Sequence, residues 1–284
     1  MPLVKVNELL RHATENGYGV AAVNVFNYET IKWVAEAANR ERIPVIIQFY
    51  PGFDKYIALK HVAAIAKDFA EKSSVPIGVH LDHSAGYEIA VSGVRDGFPS
   101  VMVDGSALPY EENMALTAAV VKTAAVFGVD VEAELGHVGS GANLDDIVNS
   151  DHYTDVKQAV EFVKCTGCGS LAVAVGNAHG AYVQTPNLDF DRIASLRSAL
   201  PIPLVLHGCS DIPPEQLQES VRLGMSKFNI ATEYFRACYH GVVQHGDLAE
   251  KNGDMFRLMM ETSENAIDFV RGKMRLLNPN KFTF

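Results

Sequence analysis

SLAVAVGNAHG, residues 170–180, is a run of small and β-branched residues that reaches a glycine and then delivers a histidine. A run this short and this apolar reads as a strand of a parallel sheet, covered by helices on its outer face. The same construction recurs on both sides of it. Upstream lie Gly19–Asn24, Pro44–Phe49, Pro76–Leu81, Ser100–Asp104 and Val129–Glu134; downstream lie Pro203–His207 and Ser226–Ile230. Amphipathic stretches such as Glu29–Ala38, apolar at three- and four-residue spacing, run between them. Eight strand–helix units close into an α/β (β/α)8 TIM barrel, and 284 residues suit one such domain, 1–284, with a C-terminal helical extension. An open doubly wound sheet is the alternative, but it usually has fewer strands, and no GxGxxG follows the first one.

A 48% hydrophobic composition is enough for a large core, and a net charge of −10 argues against a broad nucleic-acid footprint or an anionic membrane surface. The N-terminal stretch lacks the basic and apolar regions of a signal peptide, and no apolar run approaches the roughly 20 residues of a membrane span. A cytoplasmic protein with no nucleic-acid or membrane partner is expected. Cys165 and Cys168 have the spacing of a redox or zinc pair, but no second pair completes a four-cysteine site. Core packing is the plainer reading.

Barrel enzymes place their chemistry at the C-terminal strand ends. Here the ends carry Asn24, Gln48, Asp82-His83, Asp104, Glu132 with Glu134, Asn177 to Gly180, His207-Gly208 and Asn229. A single histidine at such a place is usually a hydrogen-bonded structural residue. Three of them, His83, His179 and His207, at the ends of strands three, six and seven can converge on one metal and leave a position open, the pattern of catalytic zinc. Asp104, Glu132 and Glu134 are then partners that fix the imidazole tautomers, or alternative ligands. His80 reads as core or as support beneath the site; His12, His61, His152, His240 and His245 read as surface residues. Gly180 and Gly208 let backbone N–H groups approach an anion. Ser210 and Thr232 follow strands seven and eight, where barrels commonly bind phosphate, the favoured reading; helix capping is the plain alternative, and both roles can coexist.

The ordered set LDH at 81–83, EAELG at 132–136, AHG at 178–180 and LHG at 206–208 resembles the class II, metal-dependent ketose-bisphosphate aldolases, above all the tagatose- and fructose-bisphosphate branch. VNVFNYETI, VMVDGSALPYEEN and KFNIATE extend the likeness over nearly the whole chain. The resemblance implies Zn2+ on His83, His179 and His207, and Asp82 as proton donor on the aldehyde side. It implies dihydroxyacetone phosphate held by Gly180, Gly208, Ser210 and Thr232, with Asn229 near the substrate hydroxyls and Asn24 in the same substrate site. A monovalent cation, Na+ or K+, and a homodimer or homotetramer are also implied. The expected reaction is reversible cleavage of a phosphorylated ketose into dihydroxyacetone phosphate and an aldehyde. A Schiff-base lysine would be the competing chemistry. No lysine ends strand six, and the strand position of Lys227 gives no reason for it to be a nucleophile.

Three departures bear on the substrate. Gln184 stands where relatives usually carry lysine, and Gln48-Phe49-Tyr50 where a small hydroxyl residue is common. The loop after strand five has no glutamate; Asp145 or Asp146 is the candidate base, His137 a lesser one, and helix capping the plain alternative. Arg257 and Arg271 are cations without an assigned place. The second reading is therefore an aldolase for another ketose-1-phosphate, with a longer or unphosphorylated aldehyde partner. A metal-dependent hydrolase on the same barrel is a more distant one, because Val23-Asn24-Val25 stands where an HxH pair would be.

Overall fold

The computed structural model describes residues 3–284, with the backbone alone at 249, 251 and 252. Eight parallel strands close into a barrel in chain order: β1 (Val20–Val25), β2 (Val45–Phe49), β3 (Ile77–Ser84), β4 (Ser100–Val103), β5 (Asp130–Leu135), β6 (Ser170–Val173), β7 (Leu204–Leu206) and β8 (Met225–Ile230). The helices are α1 (Val6–Asn16), α2 (Tyr28–Glu41), α3 (Leu59–Lys72), α4 (Tyr87–Arg95), α5 (Tyr110–Val126) and α6 (Leu144–Val148). They continue with α7 (Val156–Thr166), α8 (Phe190–Ala199), α9 (Pro214–Arg222), α10 (Thr232–Gln244), α11 (Gly246–Asn252) and α12 (Met255–Leu276). The (β/α)8 expectation holds, with the extension supplied by α11 and α12.

Helix α2 shows how the outer layer forms. Asn27 and Thr30 make a reciprocal capping box that starts it, and Ile31, Val34, Ala35 and Ala38 are buried along one side. Helix α1 has a different task. Its Val6, Leu9, Leu10 and Ala13 pack with Tyr18, Val20, Ala22 and Ile46, and Asn7 N–H donates to Asp130 at the start of β5. It therefore plugs the N-terminal mouth, leaving the opposite mouth for chemistry. His12, expected at the surface, is half-buried: its ring lies 5.2 Å from Phe282 and 5.5 Å from Phe284, with Nδ1 2.9 Å from the Tyr18 hydroxyl.

The strands read as nearly continuous apolar runs, but the barrel interior is mixed. Residues facing the helices are Ala, Val, Ile and Leu, whereas His80, Ser100, Glu132, Lys227 and Ser170 are all buried. Lys227 Nζ lies 2.9 Å from Glu132, both fully buried, and His80 Nδ1 lies 2.7 Å from Ser100 Oγ. Such a charge pair survives burial only because each partner removes the other's isolated charge.

Three strands end earlier than the sequence suggests, β4 by one residue at Val103 and two others where the chain turns over the rim. β6 stops at Val173 and β7 at Leu206, because the following residues fold over the rim instead of extending the ladder. Asn177 holds that turn: its Oδ1 accepts Val175 N–H and its Nδ2 donates to His207 O. β3 runs further, to Ser84, with a register shift against β4 between Leu81 and Ser84. Among the described residues, no helix is long and apolar enough to cross a membrane.

Candidate active site

Successive strand residues point to opposite faces, yet Asp82 and His83 both line the same cleft. The irregularity in β3 permits this: His83 has φ +38°, which turns its side chain back over the rim. Its Nε2 then faces His179 Nε2 at 3.1 Å, and its ring centroid lies 4.6 Å from that of His207. One ligand atom from each of the three histidines lies within 4.8 Å of the others.

Each imidazole is oriented through its other nitrogen. His83 Nδ1 is 2.9 Å from Asp104 Oδ2, His179 Nδ1 is 3.1 Å from Val138 O, and His207 Nε2 is 3.0 Å from Glu132 Oε1. Glu132 is in turn clamped by Lys227. His207 Nδ1 is buried without a hydrogen-bond partner, as is Glu134 Oε2, although the two lie only 3.3 Å apart. Buried polar atoms are rarely left unpaired, and a cation between these groups would satisfy both. The residues fit a bound metal.

The electrostatics agree. Burial pushes His83 down, but Asp82, Asp104 and Glu134 outweigh it and raise the imidazole to about 9. Burial, then the positive charge on His83, lowers His179 to about 4 and holds His207 well below its ordinary range. The cluster thus favours a single positive charge, on His83, with the other two rings neutral. Burial, reinforced by Asp104, raises Glu134 to about 8. Glu134, Asp104 and His83 also form a second group with ligand spacing.

Asp82 is buried beside the trio. Its Oδ2 accepts from Asn24 at 2.9 Å and Gln48 at 3.3 Å, and its Oδ1 from Asn229 at 3.2 Å. Burial raises this carboxyl, but His83, Lys227, His207 and the Asn24 amide together hold it below its ordinary range. It is therefore an ionised acceptor fixed by three amides.

The cleft above has a volume of about 430 Å3, and Asn24, Asp82, His83, Asp104, His179, Gly180, Gly208, Ser210, Asn229 and Thr232 line it. His207, Glu132 and Glu134 are buried and are not part of its lining. Gly208 is required where it stands: φ is +62°, and a Cβ would meet Ala178 O at 1.9 Å. Ser210 Oγ accepts Glu233 N–H at 3.2 Å, so it caps the start of α10 while lining the cleft. Of its two expected roles, capping is the one these contacts display.

Asp145 and Asp146 are not in the cleft. They lie on α6, where Asp146 accepts Ser140 N–H at 2.7 Å and approaches His137 at 3.4 Å, and Asp145 lies 3.8 Å from His152. His152, expected at the surface, is half-buried in this group. Gln184 is exposed. Arg257 pairs with Glu261, and Arg271 with Glu41 and Asp268, all on the helical layer away from the cleft. The cysteines are free, Cys165 exposed and Cys168 buried.

Some contributors gave no signal in the sequence. Tyr182 hydroxyl accepts Ala178 N–H and donates to Gly208 O, tying the loops after β6 and β7 together. Phe53 and Phe235, with rings 6.0 Å apart, form an aromatic wall that Tyr50 extends. Nothing in their local pattern separates them from core aromatics.

Residues 4–281 match the model of the family described as fructose-bisphosphate aldolase class-II. The YdjI aldolase of Escherichia coli K12 is similar at 34% identity, over 97% of each chain, with a TM-score of 0.87. The fructose-bisphosphate aldolase (Fba) of Campylobacter jejuni, at 24% identity over 97% of this chain and 95% of its own, has a TM-score of 0.83 and shows the shared fold alone. With its histidine-lined rim on a closed barrel and a family match spanning nearly its whole length, the chain belongs to the class II fructose-bisphosphate aldolases, a family of lyases.

Proposed function

We propose that the protein uses Zn2+ to cleave a phosphorylated ketose reversibly into dihydroxyacetone phosphate and an aldehyde. The observation that carries this reading is the convergence of His83, His179 and His207, each anchored through a second nitrogen, beside the amide-held carboxylate of Asp82. His83, His179 and His207 would hold the zinc. When bound, zinc supplies a Lewis acid that draws negative charge onto the ketose oxygens.

The protein's own groups do the rest. Asp82 takes the proton from the hydroxyl on the aldehyde side during cleavage and returns it during condensation. Gly180, Gly208, Ser210 and Thr232 line the cleft at the start of α10 and would surround the phosphate, whose charge helix N–H groups and a monovalent cation, Na+ or K+, would balance. Asn24 and Asn229 orient the substrate hydroxyls as well as Asp82. Asp145 or Asp146 serves as base at the hydroxymethyl carbon, which requires the α6 loop to swing toward the cleft.

A bisphosphate of the fructose-1,6 or tagatose-1,6 type is the first substrate reading, by family. A second has its own support: no lysine or arginine lines the cleft among the described residues, and Tyr50 occupies its wall. That favours a ketose-1-phosphate whose aldehyde end is longer or unphosphorylated. The likeness to class II aldolases supports assembly into a homodimer or homotetramer, and four free cysteines suit a cytoplasmic setting.

Proton exchange at the hydroxymethyl carbon of dihydroxyacetone phosphate in heavy water tests the chemistry. Exchange should require zinc and vanish in His179→Ala together with the metal of the rim trio; zinc-loaded protein that shows none refutes the reading. Condensation with phosphorylated and plain aldehydes, followed by product identification, separates the two substrate readings.

A further inference from the structure

The loop joining β5 to α7 carries a second cluster of metal-ligating side chains, apart from the cleft. Its two ends meet at His137 and His152, where His137 N–H donates to His152 O at 2.9 Å and the rings pack edge to face with centroids 5.0 Å apart. Asp146 reaches back from α6 into this neck. Its Oδ2 is committed to Ser140 N–H at 2.7 Å, which leaves Oδ1 3.4 Å from His137 Nε2 and 4.0 Å from His152 Nδ1. His152 Nδ1 is buried without a hydrogen-bond partner, and Asp145 Oδ2 lies 3.8 Å from its Nε2.

We propose that His137, Asp146 and His152 form a second transition-metal site that staples the two ends of this loop. One ligand atom from each residue lies within 4.8 Å of the others. In a tetrahedral site with bonds of about 2.0–2.1 Å, ligand atoms stand about 3.4 Å apart. The His137–Asp146 spacing already has that value, and His152 closes on Asp146 with a shift of about half an ångström. Two imidazoles and one carboxylate suit Zn2+, Co2+ or Ni2+ rather than Ca2+ or Mg2+, which prefer all-oxygen shells. The fixed orientation of Asp146 by Ser140 is the supporting hydrogen bond that ligating carboxylates normally have. Bound metal would hold residues 137–152 as a closed loop whose ends are already in register. With Asp146 held in this site, the base proposed for the cleft falls to Asp145.

Zinc titration of the metal-stripped full chain tests it, with metal content measured after dialysis and amide exchange followed across residues 139–152. Wild type should bind one equivalent more than His137→Gln or His152→Gln, and exchange in the loop should slow only where that equivalent is bound. His179→Ala, with the rim trio broken, should keep the loop equivalent. Equal zinc content in wild type and both glutamine variants overturns the proposal, as does loss of all zinc from His179→Ala. If His152→Gln fails to fold by circular dichroism, Asp146→Asn takes its place and should lose the same equivalent.

Discussion

Asp104 and Glu132 act on the rim through imidazoles. Asp104 holds His83 Nδ1 and also accepts from Ser106, so it is itself fixed. Removing such a partner leaves the ligand free to rotate, which typically weakens metal binding about 10–100-fold. Asp104→Ala should lower zinc affinity by that factor in a competition titration with a chromophoric chelator, while an unchanged affinity would show that His83 orients itself. Lys227 is a different case, because its loss takes away, among the described residues, the only cationic side chain bonded to Glu132 at full burial and leaves it the His207 imidazole alone. Breaking a buried pair from one side costs about 3–5 kcal/mol. Lys227→Met should therefore shift the urea midpoint strongly, and Lys227→Met combined with Glu132→Gln should recover part of the loss. The trio, Asp82 and Asp104 were legible because each ends an apolar run at a place where packing alone does not ask for a polar group. The Lys227–Glu132 pair was not, since nothing along β8 or β5 says that residues 95 apart face each other across the barrel.

At the scale of elements, strand identity and order were readable from the spacing of apolar runs, and the starts of β6 and β8 fell within a residue of expectation. The irregularity in β3 was not, because it depends on how β4 pairs beside it and leaves no mark on the sequence VHLDHS. Nor was the plugging role of α1, whose amphipathic pattern fits a helix on any face. Helix α12 shows the same limit: it was expected as a C-terminal extension, but its anchor was not. Glu41 at the end of α2 accepts from Arg271 at 2.6 Å and Arg275 at 2.8 Å, joining the last helix to the first βα unit. The Arg275 hydrogen bond, then that of Arg271, lowers Glu41 below its ordinary value against the opposing effect of burial. A lowered carboxyl stabilises the fold fully above its unfolded pKa of about 4.3 and loses that contribution as pH falls through the folded value. Glu41→Gln should thus cost about 1–2 kcal/mol at pH 7. The gap between the two thermal melts should narrow below about pH 4; a gap that stays constant would mean the contact is steric.

For the whole molecule, the proposed zinc would join β3, β6 and β7, whose ligands lie far apart in the chain and are held on separate loops. Without it, three imidazoles crowd one another, and His207 Nδ1 and Glu134 Oε2 stay buried and unpaired. Part of the fold's stability should then belong to the metal. The position of the α6 loop shows why sequence stops short at this scale: Asp145 and Asp146 could be named as candidates, but which cavity they face depends on contacts between two loops. Gly139 O accepts His179 N–H at 2.8 Å and Gly141 N–H donates to His179 O at 2.7 Å, so this loop and the ligand loop are stitched together. Zinc loss should accordingly loosen both. A ligand that binds only the folded state at a hundred times its dissociation constant stabilises by about 2.7 kcal/mol. At roughly 2–4 °C per kcal/mol, that raises the midpoint of a chain this size by about 5–10 °C. Differential scanning calorimetry with excess zinc and with EDTA should show a shift of that size in wild type. In His179→Ala the shift should shrink to whatever the loop site alone contributes. A full shift in that variant would mean that the rim trio is not where zinc stabilises the barrel.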